Sequence, residues 1–425
     1  MSVRKWALLM VLAMTTPAMA KVKLNHGWSV NPTPGAAVDE ALTMLRIKQV
    51  TKPRLVVTYF TENYLPTVIV RKIREAWPDT KIYGHTVYQG VFSTDGLHIG
   101  KNGSIAMMAF EGEDLSVGVA GAEIPDKGDA RALTKKAVQQ AMQQVGKAGK
   151  NKLSVALIAA KKGREEQVVA GLSDSLPRDI PLIGGTPSTN RFKIGSVIAN
   201  GQVYQEGVIV GLISSRQKSG ASFFSGFAGA KKYGVVTKAD GRILKSIGGK
   251  PAQEVYKKWA AGKFDHINAK KKNVVTMDTA IAPLAKRISL PDGKKRLVAV
   301  RPQIFMTDGS LGLGGNVVEG ETLYYVEGSK QALIKRAGVV ARKALVDGRI
   351  KMDEIAGGLH IYCGGASTVI GLGDDGSART MVAEISKSMS GRPFIGGFTS
   401  AEQGHIPGFG FFHGNLMSSM VVFSE

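Results

Sequence analysis

A glycine-and-hydroxyl loop recurs three times along the chain in matching surroundings, and that recurrence limits the folds open to it. The copies read IYGHTVYQ from Ile82, IGGTPSTN from Ile183 and IGGFTSAE from Ile395. Ahead of the first stands RLVVTYF, an apolar run of strand type. YLPTVIVRKIREAW follows, with apolar residues at helical spacing and a stop at Pro78-Asp79. The second copy is preceded by KLSVALIAA and EEQVVAGLSDSL, the third by GLHIYCGG and RTMVAEISKSM. After the loops come GLHIGKNGSIAMMAF, SVIANGQVYQEGVIVGLI and GFGFFHGNLMSSMVVF, the second with a tight-turn signal at Asn200-Gly201. Each unit therefore reads strand, helix, strand and glycine loop, closed by an antiparallel meander. The copies are loosely alike, which is duplicated architecture rather than a solenoid of fixed period.

Runs such as VVTYF and VALIAA are apolar on both faces, as central strands covered by helices must be. The expected fold class is α/β: mixed β-sheets covered by helices, built from recurring strand–helix–strand–glycine loop–hairpin units, in two halves. The stretch from Ala228 to Lys250 holds several turns and few large apolar residues. Pro251 then starts a short amphipathic helix, with Gly262 past its end. The expected division is a leader over 1–20, an N-terminal domain over 21–230, a connection over 231–250 and a C-terminal domain over 251–425.

The leader is expected because Arg4 and Lys5 precede an apolar stretch from Trp6 to Met14 that ends in Ala18-Met19-Ala20. That pattern marks an export signal cut after Ala20. The stretch is too short to span a bilayer, so a periplasmic or secreted protein is expected. The one cysteine, Cys363, excludes an internal disulfide. The net charge of +22 points toward nucleic acid, anionic lipid or an acidic ligand. The basic residues are nonetheless scattered, at Lys161-Lys162, Lys231-Lys232, Lys270 to Lys272 and Lys294 to Arg296, with no interleaved aromatics for stacking bases. Solvated loops are the expectation, with no nucleic-acid partner.

Signatures of chemistry are few. One cysteine and seven histidines supply no zinc-ligand spacing, there is no P-loop and no GxSxG elbow, and SLGLGGNVVEG misses the GxGxxG spacing. Asp374-Asp375-Gly376 reads as an ordinary turn rather than a calcium loop. No metal or cofactor is expected. Cys363 has His360 three residues before it, but residues three apart in a strand face opposite sides, which favours a buried structural thiol. Ser400, Glu402, His405 and His413 are the residue types of acid–base chemistry, although nothing in their spacing forces them together.

The loops themselves admit two readings. Gly-Gly at a strand end lets the chain turn without a β-carbon and lets a ligand approach the main chain. Exposed amides there hold a carboxylate or another anion. Gly84, His85 and Thr86, then Gly184, Gly185, Thr186, Ser188 and Asn190, then Gly397, Thr399, Ser400 and Glu402 are the candidate ligand contacts. The plainer reading is that the glycines only permit tight strand exits.

In order and spacing these motifs resemble the FIST family, a sensory module with N-terminal and C-terminal parts found in microbial signalling proteins. GAAVDEALTML, LVVTYFTENY, IYGHT and IPLIGGTPSTNRF carry the likeness in the first half. VVEGETLYYVEG, GGLHIYCGGASTVIG and PFIGGFTSAEQG carry it in the second. The resemblance implies a sensor of small molecules such as amino acids, and its closing motifs add Cys363, Gly364 and Asn415 to the candidate contacts. The chain departs from the family pattern at Ala401, before Glu402, and at Asn415-Leu416-Met417, which lacks the threonine. It departs again at Cys363-Gly364-Gly365-Ala366, which runs on to no arginine. The leading expectation is an exported, non-enzymatic binding protein that captures an amino-acid-like or anionic ligand and signals through a membrane partner. A hydrolase or transferase using Cys363 or the Ser400, Glu402, His405 and His413 group stands against it. An interaction scaffold without a pocket is the third.

Overall fold

A computed structural model of the chain describes residues 21–150, 153–193, 195–267, 271–290, 293–373 and 376–425. The expected leader, Lys270 and the Asp374-Asp375 turn lie outside the described residues. Three units of one plan follow each other along the chain. The first comprises β1 (Lys23–Ser29), α1 (Pro34–Ile47), β2 (Leu55–Phe60), α2 (Pro66–Ala76), β3 (Lys81–Thr86), β4 (Val91–Ser93), β5 (Gly96–His98) and β6 (Ile105–Glu111). The second repeats it as β7 (Ser116–Glu123), α3 (Ala130–Lys150), β8 (Leu153–Ala159), α4 (Glu165–Ser173), β9 (Leu182–Gly185), β10 (Val197–Ala199), β11 (Gln202–Tyr204) and β12 (Gly207–Ser214).

The third unit opens with β13 (Ser219–Phe224) and is then interrupted by an insertion. The insertion contains β14 (Ala228–Asp240), β15 (Ile243–Ile247), β16 (Lys250–Pro251), α5 (Ala252–Trp259), β17 (Asn273–Val274), β18 (Leu284–Ser289), β19 (Lys295–Val300), β20 (Pro302–Phe305), β21 (Leu311–Leu313) and β22 (Thr322–Glu327). The unit resumes as α6 (Lys330–Asp347), β23 (Ile355–Cys363), α7 (Gly364–Ile370), α8 (Ser377–Ser388), β24 (Phe394–Thr399), β25 (Glu402–Ile406), β26 (Gly410–Gly414) and β27 (Ser418–Ser424). Residues 231–250, expected as a connection, are thus strands β14 and β15 of a nine-stranded sheet.

Each unit builds four strands of a six-stranded sheet: β1-β6-β2-β3, β7-β12-β8-β9 and β13-β27-β23-β24. In each, the two strands flanking a helical crossover run parallel. The short hairpin after each glycine loop does not stay at home. β10–β11 completes the first sheet on β3, β25–β26 completes the second on β9, and β4–β5 completes the third on β24. The expected closing meander is therefore divided: its last strand returns to its own sheet while its hairpin joins another unit's. The exchange runs once round the three units and closes. It also covers the edge each parallel pair would otherwise leave open for unwanted pairing.

The two-faced apolar strands follow from this ring. On β2, Val56 and Phe60 pack outward against α1 and α2, while Leu55, Val57 and Tyr59 point into a core shared by all three sheets. Leu157 and Ala159 of β8 and Leu359 and Ile361 of β23 meet them there. One basic residue departs from the expected solvated loops. Lys161 is 5% exposed and donates to the Ile124 carbonyl at 2.7 Å and to Glu206 at 2.6 Å.

Candidate functional site

The three glycine loops meet on the axis of the ring. Tyr88 N donates to Phe398 O at 2.8 Å, Ser400 N to Thr186 O at 3.1 Å and Ser188 N to Thr86 O at 3.3 Å. Each bond links one unit to the next, and together the three bonds close a circle. The hydroxyls join in, with Ser400 Oγ donating to Ser188 Oγ at 2.9 Å. The glycines are needed because protein comes close to them. A β-carbon at Gly185 would lie 2.4 Å from Thr399 Cγ2, at Gly397 2.4 Å from Val87 Cγ1, at Gly184 2.1 Å from Ile158 Cγ2 and at Gly84 2.5 Å from Thr58 Cγ2. Neighbouring strands and the loop after β3 fill the space these residues leave empty.

The ring also exposes where its symmetry fails. Opposite Gly84, Gly184 and Gly396 stand Ile198, Gln403 and Phe92 of the exchanged hairpins. One residue away stand Val197, Glu402 and Val91, opposite His85, Gly185 and Gly397. Across the hairpins the partners of the first trio are Val203, His413 and Leu97. Two hairpins put aliphatic or aromatic side chains at these places, and the third puts Glu402, Gln403 and His413. A fold that accepts Val and Ile there has no structural need for a buried carboxyl and amide, because burying polar groups costs stability unless each is fully partnered.

Around that hairpin the polar groups gather. Glu402 and Gln403 are fully buried. Thr399 Oγ donates to Glu402 Oε1 at 3.1 Å, Met417 N donates to Oε2 at 2.8 Å, and the Cys363 thiol bonds to the same carboxyl. Burial pushes the Glu402 carboxyl up to about 8. Burial and the facing Glu402 push the Cys363 thiol up to about 12. Gln403 Nε2 donates to Thr186 Oγ at 3.3 Å and faces His413 Nδ1 at 3.4 Å. Thr186 Oγ donates onward to Glu165 Oε1 at 3.1 Å. Arg242 of the insertion clamps Glu165 at 2.6 Å and Glu166 at 2.5 Å. Burial raises the Glu166 carboxyl, but His413, Arg242 and the Asn316 N–H outweigh it and hold it below the ordinary range. Glu165, Glu166 and His413 sit close enough together to share a cation, yet Arg242 already supplies the positive charge.

Two buried arginines flank the cluster. Arg336, on the core face of α6 with Leu333, Ala337 and Val340, donates through Nε to Tyr362 Oη at 3.1 Å and through Nη1 to Ser225 O at 2.6 Å and to Leu416 O. Its Nη2 reaches Met417 O at 3.5 Å, and its guanidinium lies over the Tyr362 ring at 4.4 Å. Arg301, between β19 and β20, is 4% exposed and leaves Nε and Nη2 without partners among the described residues. Outside the cluster a cleft of about 330 Å3 opens between α4, the insertion and β26. Glu166, Lys286, Arg287, Asn316, His413 and Asn415 give it polar walls of both charges, over apolar Val169, Val298 and Phe412.

The FIST N domain matches residues 54–250 and the FIST C domain matches residues 252–405. The chain belongs to the FIST family. FIST domains are associated with signal transduction and small-ligand sensing. No curated protein matches this FIST chain. Among solved structures it is similar to a cyanuric acid hydrolase from A. caulinodans, at 8% identity and TM-score 0.39, covering 96% of this chain and all of that one. A second, described as a cyanuric acid hydrolase arisen by structural concatenation, is similar at 10% identity and TM-score 0.33, covering 95% and all of the two chains. Likeness that weak bears on neither the chemistry nor the substrate of this FIST protein.

The residues expected to touch ligand divide in space. Thr186, Ser188, Cys363, Gly364, Thr399, Ser400, Glu402 and Asn415 lie in or beside the buried cluster. His85 is walled in by Tyr59 and Tyr83, with Nδ1 3.1 Å from Thr86 O. Asn190 is exposed, and its Oδ1 accepts from Gln89 N at 2.7 Å. The expected Ser400, Glu402, His405 and His413 group is not one site. His405 lines a separate cleft with Asp179 and Asp347, and His413 belongs with Glu166. His360 turns away from Cys363 and pairs with Ser418 Oγ at 2.7 Å, as strand alternation requires. Arg242, Arg301, Arg336 and Gln403 join the site without having been among the expected residues. For Arg301 and Arg336 a signal was present, since VAVRPQIF and ALIKRAGVV each set an arginine inside an apolar run.

Proposed function

We propose that this FIST protein is a non-enzymatic sensor that takes a small zwitterionic or anionic ligand in the cleft between α4, the insertion and the β25–β26 hairpin. The observation that carries this reading is the break in symmetry: Glu402, Gln403 and His413 stand where the other two units have Val, Ile, Phe or Leu. Cleft walls of both charges over an apolar floor suit an amino-acid-like molecule, whose two charged groups and side chain need all three surfaces. The insertion contributes Arg242 and Asn316 to the same place, so ligand binding there bears on how the insertion sits. That gives a binding event a mechanical output. In the same reading the protein is exported and passes this output to a membrane partner. Among the described residues no helix is long and apolar enough to cross a membrane. A cysteine hydrolase is disfavoured, because a thiol pushed up to about 12 furnishes almost no thiolate near neutral pH.

The test is a thermal-shift screen of amino acids and small organic acids on the chain from residue 21 onward. A ligand that binds only the folded state raises the melting temperature with its concentration. Gln403→Ile and His413→Leu restore the apolar residues of the other two hairpins. They are expected to keep the fold and lose the ligand response. An undiminished response in both variants would overturn the assignment of the cleft.

A further inference from the structure

Arg301 is anomalous among the buried charges. An arginine stays protonated even when burial lowers its affinity for the proton, so its guanidinium is a buried cation. Such a group persists in native proteins when its donors are satisfied, and here Nε and Nη2 are not. Those two N–H groups lie side by side along one edge of the guanidinium. That edge is the fork that meets both oxygens of a carboxylate at once.

Among the described residues no acid fills the fork. Glu402 acts on Arg301 through its charge, but its two oxygens are held by Thr399 Oγ and Met417 N. The Cys363 thiol, Tyr256 and Asp278 likewise act on Arg301 through charge alone, the thiol bonding to Glu402 and the tyrosine hydroxyl donating to Ala282 O. The other edge of the guanidinium packs against Gly365, and the Arg301 backbone is bonded on both sides. Gly365 leaves it room, since a β-carbon there would lie 2.2 Å from Nη1. Arg301 N donates to Asn415 Oδ1 at 3.2 Å, and Gly314 N donates to Arg301 O at 2.9 Å. Asn415, Gly315 and Asn316 line the cleft, so the cleft wall is bonded directly to the Arg301 main chain.

We propose that the Nε–Nη2 edge of Arg301 is a carboxylate subsite, reached from the cleft when the 314–316 segment moves aside. This rests on the ligand reading of the cleft and adds the class of group that enters deepest: a carboxylate, with the rest of the ligand left in the cleft.

The probe is sodium acetate, compared with sodium chloride at equal ionic strength, in heat unfolding of the full chain. Acetate is expected to raise the melting temperature of the wild type above the chloride control in a concentration-dependent way. Arg301→Met, and Arg301→Lys as the charge-keeping variant without a fork, are expected to lose that difference, an apparent affinity at least tenfold weaker, with far-ultraviolet circular dichroism unchanged. An acetate shift that survives in Arg301→Met, or no acetate shift in the wild type, overturns the subsite. The two readings fail separately. A screen ligand that still shifts Arg301→Met but not His413→Leu leaves the cleft standing and removes only the subsite.

Discussion

Arg336 and Arg301 are the same residue in the same polar interior, and they are held in opposite ways. Arg336 has partners for each of its nitrogens and an aromatic ring beneath it. Arg301 has an open edge. The first ties α6 to the turn at Leu416 and Met417, which in turn presents Met417 N to Glu402. It is a structural rivet. The second contributes nothing comparable to the fold and stands beside the one hairpin that breaks the ring's symmetry. The difference teaches that burial of a charge does not tell its purpose; the state of its donors does.

The comparison breaks first at Arg336. Arg336→Met strips the carbonyls of Ser225, Leu416 and Met417 of their donor, and a loss of about 3–5 kcal/mol is expected, since each buried acceptor left unsatisfied costs about 1–3 kcal/mol. Urea unfolding measures it, and a loss under 1 kcal/mol on the scale of an ordinary surface change would erase the contrast.

Next in size is a pH effect at Glu402. Its folded carboxyl lies at about 8, above the ordinary 4.5, so between those values the folded state holds a proton that the unfolded state has released. The associated stability is present in full below pH 4.5 and is lost as pH rises through 8. It amounts to a few kcal/mol, at ~1.4 kcal/mol for each unit of difference. Glu402→Gln is expected to flatten the fall between pH 5 and 9. The buried histidines bias the acid side the other way. His85 and His98, lowered to about 4, and His360, lowered to about 3, stay neutral in the fold, so their contribution is lost as pH falls below about 6.5. The informative quantity is thus the difference between variant and wild type, measured by unfolding at each pH.

Gly185→Ala is expected to cost about 1–3 kcal/mol, the usual range for overpacking, because the added carbon meets Thr399 Cγ2. Thr399 is also the donor to Glu402, so the variant should steepen the pH dependence. The smallest effect belongs to Arg301. Arg301→Met is expected to be neutral or to stabilise the unliganded chain by about 1 kcal/mol, as apolar replacement of poorly partnered buried charge does. A loss as large as that of Arg336→Met would make the two arginines alike.

Much of the fold was legible in the sequence because its signals are local. Strand and helix patterns, the Asn200-Gly201 turn and the recurring loop all lie within short windows. The destination of each hairpin was not legible, since β4 reads the same whether it pairs within its own unit or with β24. The 231–250 stretch read as a connection because an insertion sheet with exposed Tyr233 and Val235 lacks a dense apolar pattern. At the site, Thr186, Thr399 and Glu402 were found through the loops that carry them. Gln403 was not, because only the register against Ile198 and Phe92 shows that a polar residue is out of place there.

The closed exchange of hairpins has a genetic consequence. A cut near residue 250 would leave the first fragment without β25–β26 for its second sheet, and would deprive the second fragment of β13 and β4–β5. Some of the bonds involved join residues 300 positions apart, such as Phe394 N to Thr94 Oγ. Neither half is a module that recombination can lend to another gene alone. The two travel as a pair, and a split version of the protein would work only if both pieces were made together and found each other.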